Sequence, residues 1–74
     1  MKKRLSELSV GQSGLVLCLL SEGSMRRRLL DVGICPGTRV VCVGRSPFND
    51  PSAYLVRGGE IAIRGRDAKD IIIE

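Results

Sequence analysis

The 74 residues predict a mainly β fold, a small five-stranded barrel with one short helix between its first and second strands. Three observations carry this. Val, Ile and Leu dominate the apolar residues, beside one Tyr, one Phe and no Trp, and β-branched side chains suit a pleated surface. Glycine, proline and serine clusters divide the chain into short apolar runs, only one of which has helical spacing. Five strands from so few residues cannot build two large sheets, whereas closing into a barrel removes exposed edges. The length makes residues 1–74 a single domain, near the lower limit at which an apolar core alone holds a fold.

Each element follows in chain order. LSELSVGQ opens as a short turn segment with Leu5 and Leu8 tucked inward and Gly11 ending it. GLVLCLL (14–20) is a strand apolar on both faces, so both should be covered. SMRRRLLDVG (24–33) is the helix, with Ser24 as its cap and Gly33 as its left-handed end. At about 100° per residue, Met25, Leu29 and Val32 fall on one buried arc. Arg26 and Leu30 share one flank, Arg27 faces away, and Arg28 lies on the other flank beside the core. CPGT (35–38) has proline second and glycine third, the order of a type II turn. RVVCVG (39–44) is the second strand and SPFNDPS (46–52) a loop between two prolines. AYLVRGGEIAIR is a hairpin with a Gly58-Gly59 turn, which pairs Arg57 with Glu60, Val56 with Ile61, Leu55 with Ala62 and Tyr54 with Ile63. GRDAKD is a tight turn or a single helical turn, and IIIE closes the chain as a strand.

Composition excludes several classes of function. There is no His, no C-x-x-C pair, no glycine loop for phosphates and no Ser or Cys in a nucleophile motif, so the parts of an enzyme are missing. Three cysteines cannot complete a disulfide framework; Cys18 and Cys42, inside apolar runs, read as buried thiols, and Cys35, beside Pro36, as the more exposed one. The net charge of +4 is modest. Barrels that bind single strands set aromatic platforms beside a positive groove, and here Tyr54 points inward while the three arginines fan around the helix, so no nucleic acid is expected. MKKRLSEL lacks the apolar stretch of a signal peptide, and the best apolar run, Leu15–Leu20, has six residues, which is too short to span a bilayer. The expected location is cytoplasmic. Leu30, outside the apolar arc and beside Arg26, is the natural seed of a docking patch with the loop that carries Phe48.

RRLLDVGICPGTRV followed by SPFNDPSAYLVRGGEIAIRGRDAKDIII resembles the ferrous iron transport protein A (FeoA) family. That family's pattern runs Arg-Leu-x-x-Leu-Gly-x-x-Pro-Gly-Thr, then Ser/Ala-Pro-x-Gly-Asp-Pro, then Gly-x-x-Ile-x-Leu-Arg, then Ala-x-x-Ile. Arg28, Leu29, Leu30, Gly33, Pro36, Gly37 and Thr38 match in the helix and turn; Pro47, Asp50 and Pro51 match in the loop; Ile61, Arg64, Ala68 and Ile71 match in the last part. Asn49 stands for the usual glycine and Val32 for a usual leucine. With an opening that also fits, the resemblance spans nearly the whole chain.

The resemblance implies a stand-alone SH3-like barrel. It also implies a small cytoplasmic accessory protein of bacterial ferrous iron uptake: a protein-binding module acting on the cytoplasmic GTP-binding domain of the ferrous iron transporter, and meeting the membrane only through that transporter. The expected contact surface is Arg26, Arg27 and Leu30 with Phe48, Asn49 and Asp50 of the loop. Many of the matching positions are turn residues and core aliphatics, so the motif marks the family better than it marks a surface. Two alternatives stand beside it. One is a metal-responsive domain in which Cys35, Asp50 or Glu60 helps hold a divalent transition metal, the only cofactor considered. The other is a small nucleic-acid-binding barrel.

Overall fold

The chain opens by burying two leucines before its first long strand. The computed structural model describes residues 2–46 and 50–74. After strand β1 (Lys3–Arg4) comes a single 3-10 turn, Leu5–Glu7. The Arg4 amide donates to Glu7 Oε2 at 2.6 Å, and Leu5 and Leu8 are both 0% exposed. The inward turn predicted for this segment is therefore present.

Strand β2 (Ser13–Leu19) serves both halves of the sheet. Its residues Ser13, Gly14 and Leu15 pair with β3 (Arg39–Arg45), and Val16, Cys18 and Leu19 pair with β6 (Ile71–Ile73). The register shifts between Val16 and Cys18, and such a bulge turns the side chains that follow it. Gly14, Val16 and Leu19 end up buried and Cys18 exposed. The thiol of Cys18, expected in the core, is thus on the surface because the bulge breaks the alternation.

The helix α1 (Gly23–Asp31) lies between β2 and β3 as expected. It begins one residue earlier than Ser24, after Glu22, with no side-chain cap. Its end is as predicted: the Gly33 amide donates to the Leu30 carbonyl at 3.0 Å and the Ile34 amide to Leu29 at 2.9 Å. These two bonds satisfy carbonyls that a helix end leaves free, and they need a left-handed residue at Gly33, where φ is +104°. The turn that follows closes with Thr38 N donating to Cys35 O at 3.0 Å, and Gly37 N and Val16 N exchange bonds with Val16 O and Thr38 O.

β4 (Ser52–Val56) and β5 (Gly59–Ile63) form the expected hairpin in a different register. Tyr54 faces Ile61, Leu55 faces Glu60 and Val56 faces Gly59, so the turn is Arg57-Gly58. Arg57 itself takes a left-handed φ of +52°. That conformation costs a side-chain-bearing residue about 1–2 kcal/mol. It is offset by contacts of the guanidinium described below. The slip amounts to two residues in all, so every side chain keeps its face. Tyr54, Val56 and Ile63 are buried and Ile61 half-buried, as predicted.

A single turn of helix, α2 (Gly65–Ala68), leads into β6. The six antiparallel strands lie in the order β1-β6-β2-β3-β4-β5, one more strand than predicted because the two-residue β1 pairs with β6. Among the described residues β1 and β5 are the ends of the sheet and do not pair with each other, so the barrel curls around its core without closing. The core holds Leu5, Leu8, Val16, Ile34, Val40, Tyr54, Ile71 and Ile73, all at most 1% exposed. Burying each such side chain contributes about 1.5–3 kcal/mol.

Candidate docking site

Helix α1 divides the surface into three settings. At its C-terminal end side chains pair within the chain beside an open recess of about 410 Å³ lined by Pro36, Gly37, Thr38, Arg39 and Arg57. Arg57 reaches over from the hairpin tip, and its Nη2 donates to Thr38 Oγ1 and Cys35 Sγ, each at 3.4 Å. Cys35 Sγ and Thr38 Oγ1 share a further hydrogen bond at 3.2 Å. The stem of Arg57 crosses Gly33 so closely that a Cβ there would meet Arg57 Cδ at 2.8 Å. The hydrogen bond with Thr38, then that from Arg57, lowers the Cys35 thiol below its ordinary range, while partial burial opposes them. Gly33, Gly37 and Thr38, all family-pattern positions, are therefore spent on this corner.

On its outward flank α1 offers a shallow recess of about 390 Å³ lined by Gly23, Arg26, Arg27, Leu30 and Asp31. Three of the predicted contact residues do come together here. Leu30 is 37% exposed, enough to be touched by a partner. Arg26 is not wholly free, because its Nη1 donates to the Leu19 carbonyl at 3.0 Å and ties the helix to the end of β2.

On the inward flank lies a larger groove, about 550 Å³, between α1 and the β5–α2 corner. Met25, Leu29, Val32, Ile61 and Ile63 give it an apolar lining, and Arg28, Arg64, Arg66 and Asp67 stand around it. Val32, placed by the sequence on the buried arc, is 40% exposed: the arc is wider than the core it meets, and its surplus lines the groove. That surplus was the signal for this site, and spacing alone could not tell it from core.

Phe48 and Asn49 lie outside the described residues. Asp50 Oδ1 accepts from the Gly65 amide at 2.7 Å, so its carboxylate caps the first turn of α2. Glu60 sits on β5 opposite Leu55, and Cys35 is in the corner with Arg57. Cys35, Asp50 and Glu60 are not assembled into one site, and among the described residues no three His, Cys, Asp or Glu side chains are grouped to hold a metal ion. No helix among the described residues is long and apolar enough to cross a membrane.

A curled antiparallel sheet with one helix inserted after its first long strand defines a small domain of the SH3-like class. The FeoA domain model matches residues 3–74, and the chain belongs to that family. It is 33% identical to an FeoA-like protein from Clostridium acetobutylicum, whose structure superposes with a TM-score of 0.89 over 99% of this chain and 85% of that one. The FeoA of Stenotrophomonas maltophilia, a prokaryotic SH3 domain protein solved in complex with zinc, is 27% identical, with a TM-score of 0.84 over 96% of this chain and 88% of that one. In Porphyromonas gingivalis the similar segment is part of an Fe(2+) transport protein A/Fe(2+) transporter FeoB fusion protein, 31% identical over 71 residues. This chain covers 96% of its own length in that match and 8% of the fusion protein. The family is thereby associated with ferrous iron transport.

Proposed function

We propose that the chain is a non-catalytic accessory module of ferrous iron uptake that binds the cytoplasmic, GTP-binding part of the ferrous iron transporter. The observation that carries this is the fusion protein, in which a segment like this one and the transporter share a polypeptide. Fusion holds two partners at high effective concentration, as suits two modules that work in contact. The recess of Arg26, Arg27 and Leu30 is the proposed first contact: a half-exposed leucine beside two guanidinium groups suits a partner with an apolar anchor and a nearby carboxylate. Such a module works at the cytoplasmic face of the membrane and reaches it through the transporter.

The test is a titration of isotopically labelled chain with the transporter's soluble cytoplasmic domain, read by backbone amide shifts, with and without guanine nucleotide. Localised shifts on α1 are expected. The double variant Arg27→Ala/Leu30→Ala, which spares the bond from Arg26 to Leu19, should weaken the interaction at least tenfold with an unchanged melting curve. No amide shift in any nucleotide state would remove the proposal.

A further inference from the structure

Among the described residues, strand β5 is the last strand of the sheet and pairs only with β4. In an antiparallel pair, alternate residues exchange both backbone bonds, and those between turn their N–H and C=O away. Val56 and Gly59 close the two-residue turn, so Gly59, Ile61 and Ile63 bond to β4 while Glu60 and Ala62 face outward. Both are exposed, and no turn, loop or cap bond among the described residues uses their backbone. An edge of this kind is a template for another strand, and folded proteins usually blunt it with lysine, proline or a bulge. Gly59–Ile63 reads GEIAI, with Glu60 as its one charged residue and neither lysine nor proline, and its register with β4 is regular.

This free edge is also one wall of the groove. Ile61, Ala62 and Ile63 stand on one side, and Met25, Arg28, Leu29 and Val32 on the other. We propose that β5 accepts an extended acidic–apolar segment of a partner protein as a seventh strand, seated in the groove beneath α1. This rests on the docking reading above for the partner being a protein. An added strand would run about 4.8 Å from β5. Its inward side chains would share the face of Ile61 and Ile63 and meet Met25, Leu29 and Val32. Charge chooses the occupant: Arg28, Arg64 and Arg66 line the groove with the carboxylate of Asp67, and β5 itself adds one further carboxylate, Glu60. A partner carrying carboxylates is favoured, whereas a second copy of this chain would bring its own three arginines to the same rim. Main-chain bonds supply affinity in this mode and the side-chain pockets supply choice.

The test uses the full chain, isotopically labelled, and a capped hexapeptide alternating valine and glutamate. The expected result is shifts at the Glu60 and Ala62 amides with at least tenfold slower hydrogen exchange there. The same peptide N-methylated at every residue, and a valine–lysine peptide, should each bind at least tenfold more weakly. Ala62→Pro removes one outward N–H and no bond to β4, a substitution an edge strand tolerates, and it should weaken the valine–glutamate peptide as much. If that variant does not fold, the N-methylated peptide decides. Equal binding of the methylated and plain peptides, or no shift at Glu60 and Ala62 at millimolar peptide, overturns the proposal. Binding of the transporter domain that ignores Ala62→Pro removes the edge and keeps the docking reading. Peptide binding without any transporter binding does the reverse.

Discussion

The two ends of one helical turn's worth of sequence meet opposite fates. At the corner of Gly33, Cys35, Thr38 and Arg57, side chains are matched to partners within the chain, from the Schellman bonds of the helix end to the guanidinium over Thr38. In the groove on the flank of Arg28 and Val32, apolar side chains such as Val32 stand part-exposed and, among the described residues, a strand edge has no neighbour. Family-pattern positions occur in both: Gly33 and Thr38 at the corner, and Arg28, Leu29, Pro51, Ile61 and Arg64 around the groove. The groove is where a partner has something to gain.

If the corner is structural and the groove is not, substitutions in the two places should separate stability from binding. Gly33→Ala is expected to have the largest effect, about 2–3 kcal/mol of lost stability in urea unfolding. It places a side chain at φ +104° and drives a Cβ to 2.8 Å from Arg57 Cδ. Thr38→Val should cost about 1 kcal/mol, as expected for one buried hydroxyl whose hydrogen bonds are lost, and it keeps the shape of the side chain. Val32→Ser, on a residue 40% exposed, should change stability by less than about 0.5 kcal/mol. It should still weaken the valine–glutamate peptide several-fold. A Val32→Ser variant that unfolds like Gly33→Ala would show that the groove wall belongs to the core.

The smallest effect concerns pH. Thr38 and Arg57 hold the Cys35 thiol below its ordinary range, so the folded chain favours the thiolate. That preference adds stability at pH above the ordinary thiol pKa, and the gain is lost as pH falls through the lowered one. The group is solvent-accessible, so the effect on unfolding should be slight and is best read by alkylation. Cys35 should react with iodoacetamide at lower pH than a free thiol in solution, and both Arg57→Gln and Thr38→Val should move that pH back up. Identical pH profiles for Cys35 in wild type and Arg57→Gln would show that the guanidinium does not act on the sulfur.

Much of the architecture was legible in local pattern. The turn of Pro36 and Gly37, the helix end at Gly33, the inward Leu5 and Leu8, and the shared face of Tyr54, Val56, Ile61 and Ile63 all rest on residue type and short-range periodicity. These act through dihedral preference and the twofold alternation of a strand, which need no knowledge of distant neighbours. The recess on α1 was legible in part: Arg26, Arg27 and Leu30 do share it, but the tie from Arg26 to Leu19 depends on where β2 ends.

Other features belong to the assembled molecule. A Gly58-Gly59 turn and an Arg57-Gly58 turn put the same side chains in the core, so alternation could not choose between them. The choice follows from Gly33, Cys35 and Thr38 lying within reach of Arg57. Cys18 is exposed because β2 must bulge as it passes from β3 to β6, a demand made by two strands far away in the chain. Val32 belongs to the apolar arc of α1 by angle, and whether it meets core or groove depends on what lies across from it. Local chemistry settles which conformations each segment prefers; which of its surfaces are left without a neighbour is a property of long-range packing, and that is where this protein's docking edge arises.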